Sequence, residues 1–362
     1  MRSLLVAGVA AILVVGCGTG GTLPRGSASP APNRIAAASP TPTFNMDDMM
    51  GFYAQQTVFV ADIEKVSAVT LLNHFTRYTI PTRGKAQVVA DGSMPGPVTW
   101  LYVLDGLDQP PIRLRTFDLG TGVERASRAV SGGVASTHRS MVSIGDGRVL
   151  VLKRDATRSF VDSYERLTLK PLGTVLSKPG CGDRLLASPA RIAIACLETG
   201  EIAVAGSTGT TMTVLQPELA GLAGVAMTDA GAIYAVTTER QLEVSGPGDT
   251  RLAPIPWPAG WSGTVLPDGI AVATGSARLV IAQTDTDGSW LRVLSTNVLA
   301  PQASLQLAGR LGAAPQFGIV ALSPFAYFAS GGSVRHVQID TGMLETMTEV
   351  GQGATIVAVA DR

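Results

Sequence analysis

The chain has 362 residues, of which 46% are hydrophobic and 15% charged, enough apolar material for a large core and too much for general disorder. Its 28 Lys and Arg balance 28 Asp and Glu, which removes a global basic signal for nucleic acid or an anionic surface. Locally, residues 111–170 carry 11 Lys/Arg against 6 Asp/Glu, whereas residues 171–283 carry 6 against 9. That pattern admits a mildly basic sector but fits scattered surface charge equally well.

Met1-Arg2-Ser3 is a minimal positive start, and Leu4 to Val15 is an apolar run of 12 residues. A bilayer span needs about 20 residues, so the run reads as a cleaved signal peptide over residues 1–16. The four residues Val14-Val15-Gly16-Cys17 resemble the bacterial lipobox. That resemblance implies acylation of Cys17, palmitate included, and a lipoprotein held on the extracytoplasmic side of a bacterial cell membrane or outer membrane. Gly16-x-Gly18-x-x-Gly21 matches a dinucleotide fingerprint only as a string, because no strand precedes it and no helix pattern follows.

Residues 17–43 are mostly Gly, Thr, Ser, Ala and Pro, which reads as a disordered, partly extended tether. Residues 44–56 form a docking segment whose core, Phe44 to Tyr53, concentrates Met and aromatic side chains. It is either a partner-binding patch or a short turn packed over one end of the main domain.

From residue 57 to 362 the chain is a series of short Val/Ile/Ala-rich runs separated by Gly, Pro, Asp and Thr, the pattern of an all-β domain. First strands of a repeating unit fall near residues 86, 140, 184, 223, 263, 318 and 354, a mean step of about 45 residues. Second strands align as Arg148 to Lys153, Arg191 to Cys196, Ala232 to Val236, Ile270 to Ala273 and Ala326 to Ala329. A turn into the last strand recurs as Asp118 to Gly122, Leu197 to Gly200 and Asp340 to Gly342.

This periodicity resembles that of bacterial WD40-like and quinoprotein-like β-propellers. The expected fold is a seven-bladed β-propeller closed by pairing of N- and C-terminal strands, with Thr355 to Ala360 completing the blade begun near Val58. Two packed β domains are the competing arrangement.

Cys181 and Cys196 lie equidistant from the turn at Ser188-Pro189, opposite each other across one hairpin, and in an exported chain they should form a disulfide. His74, His138 and His336 have no zinc-ligand spacing, and Asp285-Thr-Asp287-Gly288 reads as a hairpin turn, so neither metal nor cofactor is expected. Trp257 and Trp261, on a Pro-stiffened loop, are either an exposed partner anchor or a plug between blades. The expected function is non-enzymatic: a lipid-anchored propeller binding a protein or envelope component, with no nucleic acid involved. The alternative is a propeller enzyme of the lyase, lactonase or quinoprotein type, which requires polar or metal-binding residues converging on the channel.

Overall fold

The computed structural model describes residues 57–70, 75–91, 100–134, 139–144, 146–207, 212–215, 221–273, 277–307, 318–322, 325–330, 333–339, 344–349 and 356–360. Cys17, the tether, the docking segment, His74 and His138 lie outside the described residues.

Every described element is a strand, and all the pairings are antiparallel. The second strands are continuous apolar runs, such as Arg191–Ala195 and Ile233–Thr237, buried along their whole length. Such runs lack the in-out alternation of a half-solvated sheet because both faces of the sheet are covered. The covering comes from the neighbouring sheets. Phe59, Val66 and Ile80 pack against Val88, Leu101 and Phe117 of the next sheet, and Ile144, Leu150 and Val161 against Leu185, Ile192 and Ile194. The outermost strands, such as Glu124–Ala129, are largely exposed.

Sheet follows sheet in chain order. The first blade spans residues 86–129, the second 133–179, the third 184–215, the fourth 222–255, the fifth 264–307 and the sixth 318–349. Inner strands begin within two residues of the positions expected from the repeat, and each touches the inner strand of the next sheet around a closed cycle. The fold is a β-propeller.

The expected count of seven blades is corrected: six blades are built from consecutive strands. The remaining ring position is filled by a composite sheet, in which Ile356–Ala360 pairs along its full length with Thr57–Ala61 and is followed outward by Lys65–Thr70 and Thr76–Pro81. We call it the closing sheet. The ring is thus sealed by hydrogen bonds between the two ends, which leaves no open sheet edge at the seam.

Three details of the repeat are also corrected. In the second blade Gly133–Val134 and Met141–Ile144 both pair with Arg148–Arg154, giving five strands. The turn at Leu197 to Gly200 joins second and third strands, not third and fourth. Ile270 to Ala273 is no second strand: it is the far half of the inner strand Thr264–Ala273, whose partner is Arg278–Thr284. Pro267-Asp268-Gly269, with the composition of a hairpin turn, is instead an interruption of that inner strand, where the register jumps between Val265 and Ile270.

Candidate functional site: the charged crossing of the channel

The jump in register sends Asp268 out of the ladder at φ 54°, a left-handed conformation in which Asp is among the better tolerated residues. Gly269 belongs to the same device: a Cβ there would lie 2.7 Å from the Leu266 carbonyl oxygen, too close for any other residue without movement. Asp268 is buried. Its two carboxylate oxygens accept hydrogen bonds from Arg184 Nε and Nη2, both at 2.7 Å, a bidentate pair in which both side chains are nearly removed from solvent.

Arg184 opens the inner strand of the third blade, two ring positions from Asp268. Asp183 precedes it, with a carboxylate oxygen 3.8 Å from the guanidinium. The Leu197 backbone N–H donates to that carboxylate, and the Asp183 N–H donates to the Ala195 carbonyl. Arg139, at the entrance to the second blade's inner strand, reaches further. Its guanidinium donates to the carbonyls of Val225 in the fourth blade at 2.8 Å and of Asp268 and Ile270 in the fifth at 3.3 and 2.9 Å. Blades two and five are not neighbours, so this side chain crosses the channel. Gly224 permits the close approach of the fourth and fifth inner strands, since a Cβ there would come within 2.7 Å of Ile270.

Electrostatics follow from this burial. Desolvation pulls the Arg139 guanidinium below its ordinary pKa, with Asp268 opposing and Arg184 reinforcing the shift. Burial also works against the Arg184 charge but is outweighed by the hydrogen bonds and charge of Asp268, so that pKa is raised. Burial pushes the Asp183 carboxyl up, against the pull of Arg184 and the Leu197 N–H. Two cations and two acids thus meet inside the ring, and both guanidinium groups also donate to backbone carbonyls.

The Cys181–Cys196 disulfide, with Cα atoms 5.5 Å apart, stands beside this cluster and fixes the strand ends that carry Asp183 and Arg184. Asp183 and the two sulfurs lie within metal-ligand reach of one another, but sulfurs joined in a disulfide offer no thiolate.

Trp261 is only 7% exposed and packs with Ile255, Val265 and Leu279 in the core between the fourth and fifth blades. Trp257 is half-buried against it, edge to face at 5.9 Å, and its indole N–H donates to the Trp261 carbonyl at 2.9 Å. Arg292 lies over both Trp261 and Trp290. Both rings are thus packed on the core between the fourth and fifth blades, Trp261 within it and Trp257 at its edge. His336 is buried in the sixth blade's third strand between Phe325 and Tyr327, away from the inner strands. Asp285 caps its turn as the sequence suggests, accepting the N–H groups of Asp287 and Gly288.

No protein-family model matches the chain, and no curated protein does. Solved structures do match. The computationally designed Ika8 protein superposes with a TM-score of 0.55 at 11% identity, covering 83% of this chain and 90% of that one. Apo AztD from Citrobacter koseri gives 0.51 at 10%, covering 84% and 98%. Hsv2 from Kluyvelomyces marxianus gives 0.52 at 8%, covering 76% and 85%. The likeness is one of fold alone.

Proposed function

We propose that the chain is a lipid-anchored β-propeller, exported and held by acylated Cys17 on the extracytoplasmic side of a bacterial cell membrane or outer membrane, where it binds a protein or other envelope component. The observation that supports a binding role is the channel crossing. In a propeller enzyme, polar groups converge on the channel and remain available to substrate. Here Arg184 and Asp268 are paired, Asp183 lies 3.8 Å from the same guanidinium, and Arg139 is committed to backbone carbonyls of the fourth and fifth blades. Recognition then falls to the loops on the two rims of the ring, where connections between strands are exposed.

Two measurements test the reading separately. Cell fractionation of the native chain and of Cys17→Ala should move the protein from the membrane to the soluble exported fraction, and retention of Cys17→Ala in the membrane would sink the anchor. For binding, a photo-crosslinking residue is placed in turn on each rim, at Glu239 and at Val123, in living cells. A discrete crosslinked product from one rim is expected, and its absence from both refutes the binding role.

A further inference from the structure

The described residues divide their exposed apolar side chains unequally between the two rims of the ring. Because neighbouring strands are antiparallel, connections between third and fourth strands lie on one rim and connections between second and third strands on the other. Large apolar side chains stand exposed in, or within two residues of, the third-to-fourth connections at five ring positions. Phe75 does so in the closing sheet and is 64% exposed, Val123 in the first blade, Leu167 and Leu172 in the second, and Val298 and Leu299 in the fifth, where Val298 is 72% exposed. Met212, which opens the outer strand of the third blade, marks the remaining position. On the opposite rim the described connections expose one such residue, Ile63 in the closing sheet.

Leu299 stands at φ 52°, a left-handed conformation costly for a bulky residue, in a turn where Gly or Asn would fit without strain. An exposed leucine there adds nothing to the core, so stability does not account for it. The acids run the other way. Each of the six described second-to-third connections exposes one, namely Glu64, Asp108, Asp155, Glu198, Glu239 and Asp287 in successive ring positions. Of these six, Asp155 alone is in an ion pair among the described residues. In the first and second blades the acids on the apolar rim are compensated instead. Asp91, Asp118, Glu124 and Asp146 are each paired with an arginine, and Glu165 accepts the N–H groups of Leu167 and Thr168. One rim is thus rich in apolar tips, the other in acids.

We infer that the apolar rim rests on a bilayer surface, with its tips among the lipid headgroups and the acidic rim turned to solvent. Spacing selects this occupant. A protein partner is gripped by one packed, desolvated cluster, whereas a fluid interface accepts separate apolar tips and its hold grows with the area they bury. Charge fixes the orientation, since the acids of the opposite rim are repelled by lipid phosphates. Thr57, the first residue of its strand, stands at the same rim as Phe75, because it pairs with Thr70, whose N–H donates to the Phe75 carbonyl. The preceding chain therefore joins the ring on this side. The choice of a bilayer rests on the Cys17 anchor proposed above, which supplies one at high local concentration, so that a weak contact at each tip suffices.

The test uses the full chain carrying Cys17→Ser, so that no acyl group is present, with an N-terminal oligohistidine tag that binds a nickel-chelating lipid in phosphatidylcholine vesicles. Delivery to the vesicle is then independent of the anchor, which cell fractionation reads by itself. A polarity-sensitive fluorophore is attached at Val298→Cys or, on the acidic rim, at Glu239→Cys, while Cys181 and Cys196 stay in their disulfide. Lipids with nitroxide-bearing acyl chains should quench the Val298→Cys label about fivefold more than the Glu239→Cys label. Raising salt to about 1 M should leave that ratio unchanged, because apolar insertion is not screened. Equal quenching, stronger quenching at Glu239→Cys, or loss of the difference in high salt would each overturn the contact. So would burial of the Val298→Cys label by a second copy of the chain, seen as a concentration-dependent shift of its emission without vesicles. Phe75→Ser combined with Leu167→Ser removes two exposed tips without touching the core. It should lower the docked-to-free ratio read at Val298→Cys about tenfold, and an unchanged ratio also overturns the contact.

Discussion

Asp268→Asn is the substitution that most directly tests the channel crossing. Asn keeps the size of the side chain and tolerates the φ of 54° found there, so the backbone device is preserved while the charge is lost. What remains is Arg184, 12% exposed at its side chain, without its bidentate acceptor. Removing one partner of a buried pair costs about 3–5 kcal/mol because the other charge is left uncompensated. Two features reduce that figure: the Asn oxygen still accepts one hydrogen bond, and Asp183 lies 3.8 Å from the same guanidinium. A loss of about 2–3 kcal/mol is therefore expected, a fall of about 1 M in the urea midpoint. Tryptophan fluorescence in a urea titration at pH 7 reads it. Adding Arg184→Met to Asp268→Asn should restore part of the loss, because an apolar replacement of both charges removes the stranded cation. A single variant within about 0.5 kcal/mol of the native protein, or a double variant that is less stable than the single one, would refute the argument that these charges are desolvated and mutually dependent.

Three further outcomes are expected. Replacing Cys181 and Cys196 together by Ser opens a loop of 15 residues and should cost about 3 kcal/mol, seen as a fall of roughly 5–10 °C in the melting temperature under non-reducing conditions; an unchanged melting temperature contradicts it. Burial raises the Asp183 carboxyl, so the fold favours its protonated form. Its stabilising contribution is full below the unfolded value of about 3.9 and is lost as pH rises through the raised one. Asp183→Asn should therefore gain on the native protein as pH rises from 4 to 7, and urea midpoints showing a gap that widens toward acid would be the wrong sign. Trp261→Ala should cost about 3–5 kcal/mol as a core truncation, whereas a side chain used mainly by a partner would leave stability within about 0.5 kcal/mol.

The ring was legible because its physical requirement is written into consecutive residues. A blade covered on both faces needs short apolar runs without alternation, and the runs at Arg191–Ala195 and Ile233–Thr237 carry that pattern plainly. The disulfide was legible for a similar reason, since an opposed pair across a hairpin is a matter of counting from the turn. The composite sheet was legible because the strands near Val58 have no inner strand of their own and the apolar run Thr355 to Ala360 repeats the inner-strand pattern. Where the repeat misled, the cause was a turn-forming tripeptide. Pro267-Asp268-Gly269 has the composition of a hairpin bend, and only the pairing of Ile270 with Ile281, in the same strand as the Val265–Gln283 pair, shows it to be an excursion within one strand.

That excursion also explains why the channel cluster could not be read from the chain. Its members come from blades two, three and five, and Arg139, Arg184 and Asp268 stand some 40 to 130 positions apart, with no local spacing to tie them together. The partners of Arg139 are moreover carbonyl oxygens, which every residue possesses, so no side-chain pattern could announce them. The one local sign was a charged pair, Asp183-Arg184, directly behind Cys181-Gly182. Its meaning depends on what the inner strands bring opposite it. Because Arg139 donates to carbonyls of both the fourth and fifth inner strands, its loss would remove one tie from each of them at once. A ring tied across its own axis in this way carries its cross-links in the channel, which leaves the connections on its rims out of that network.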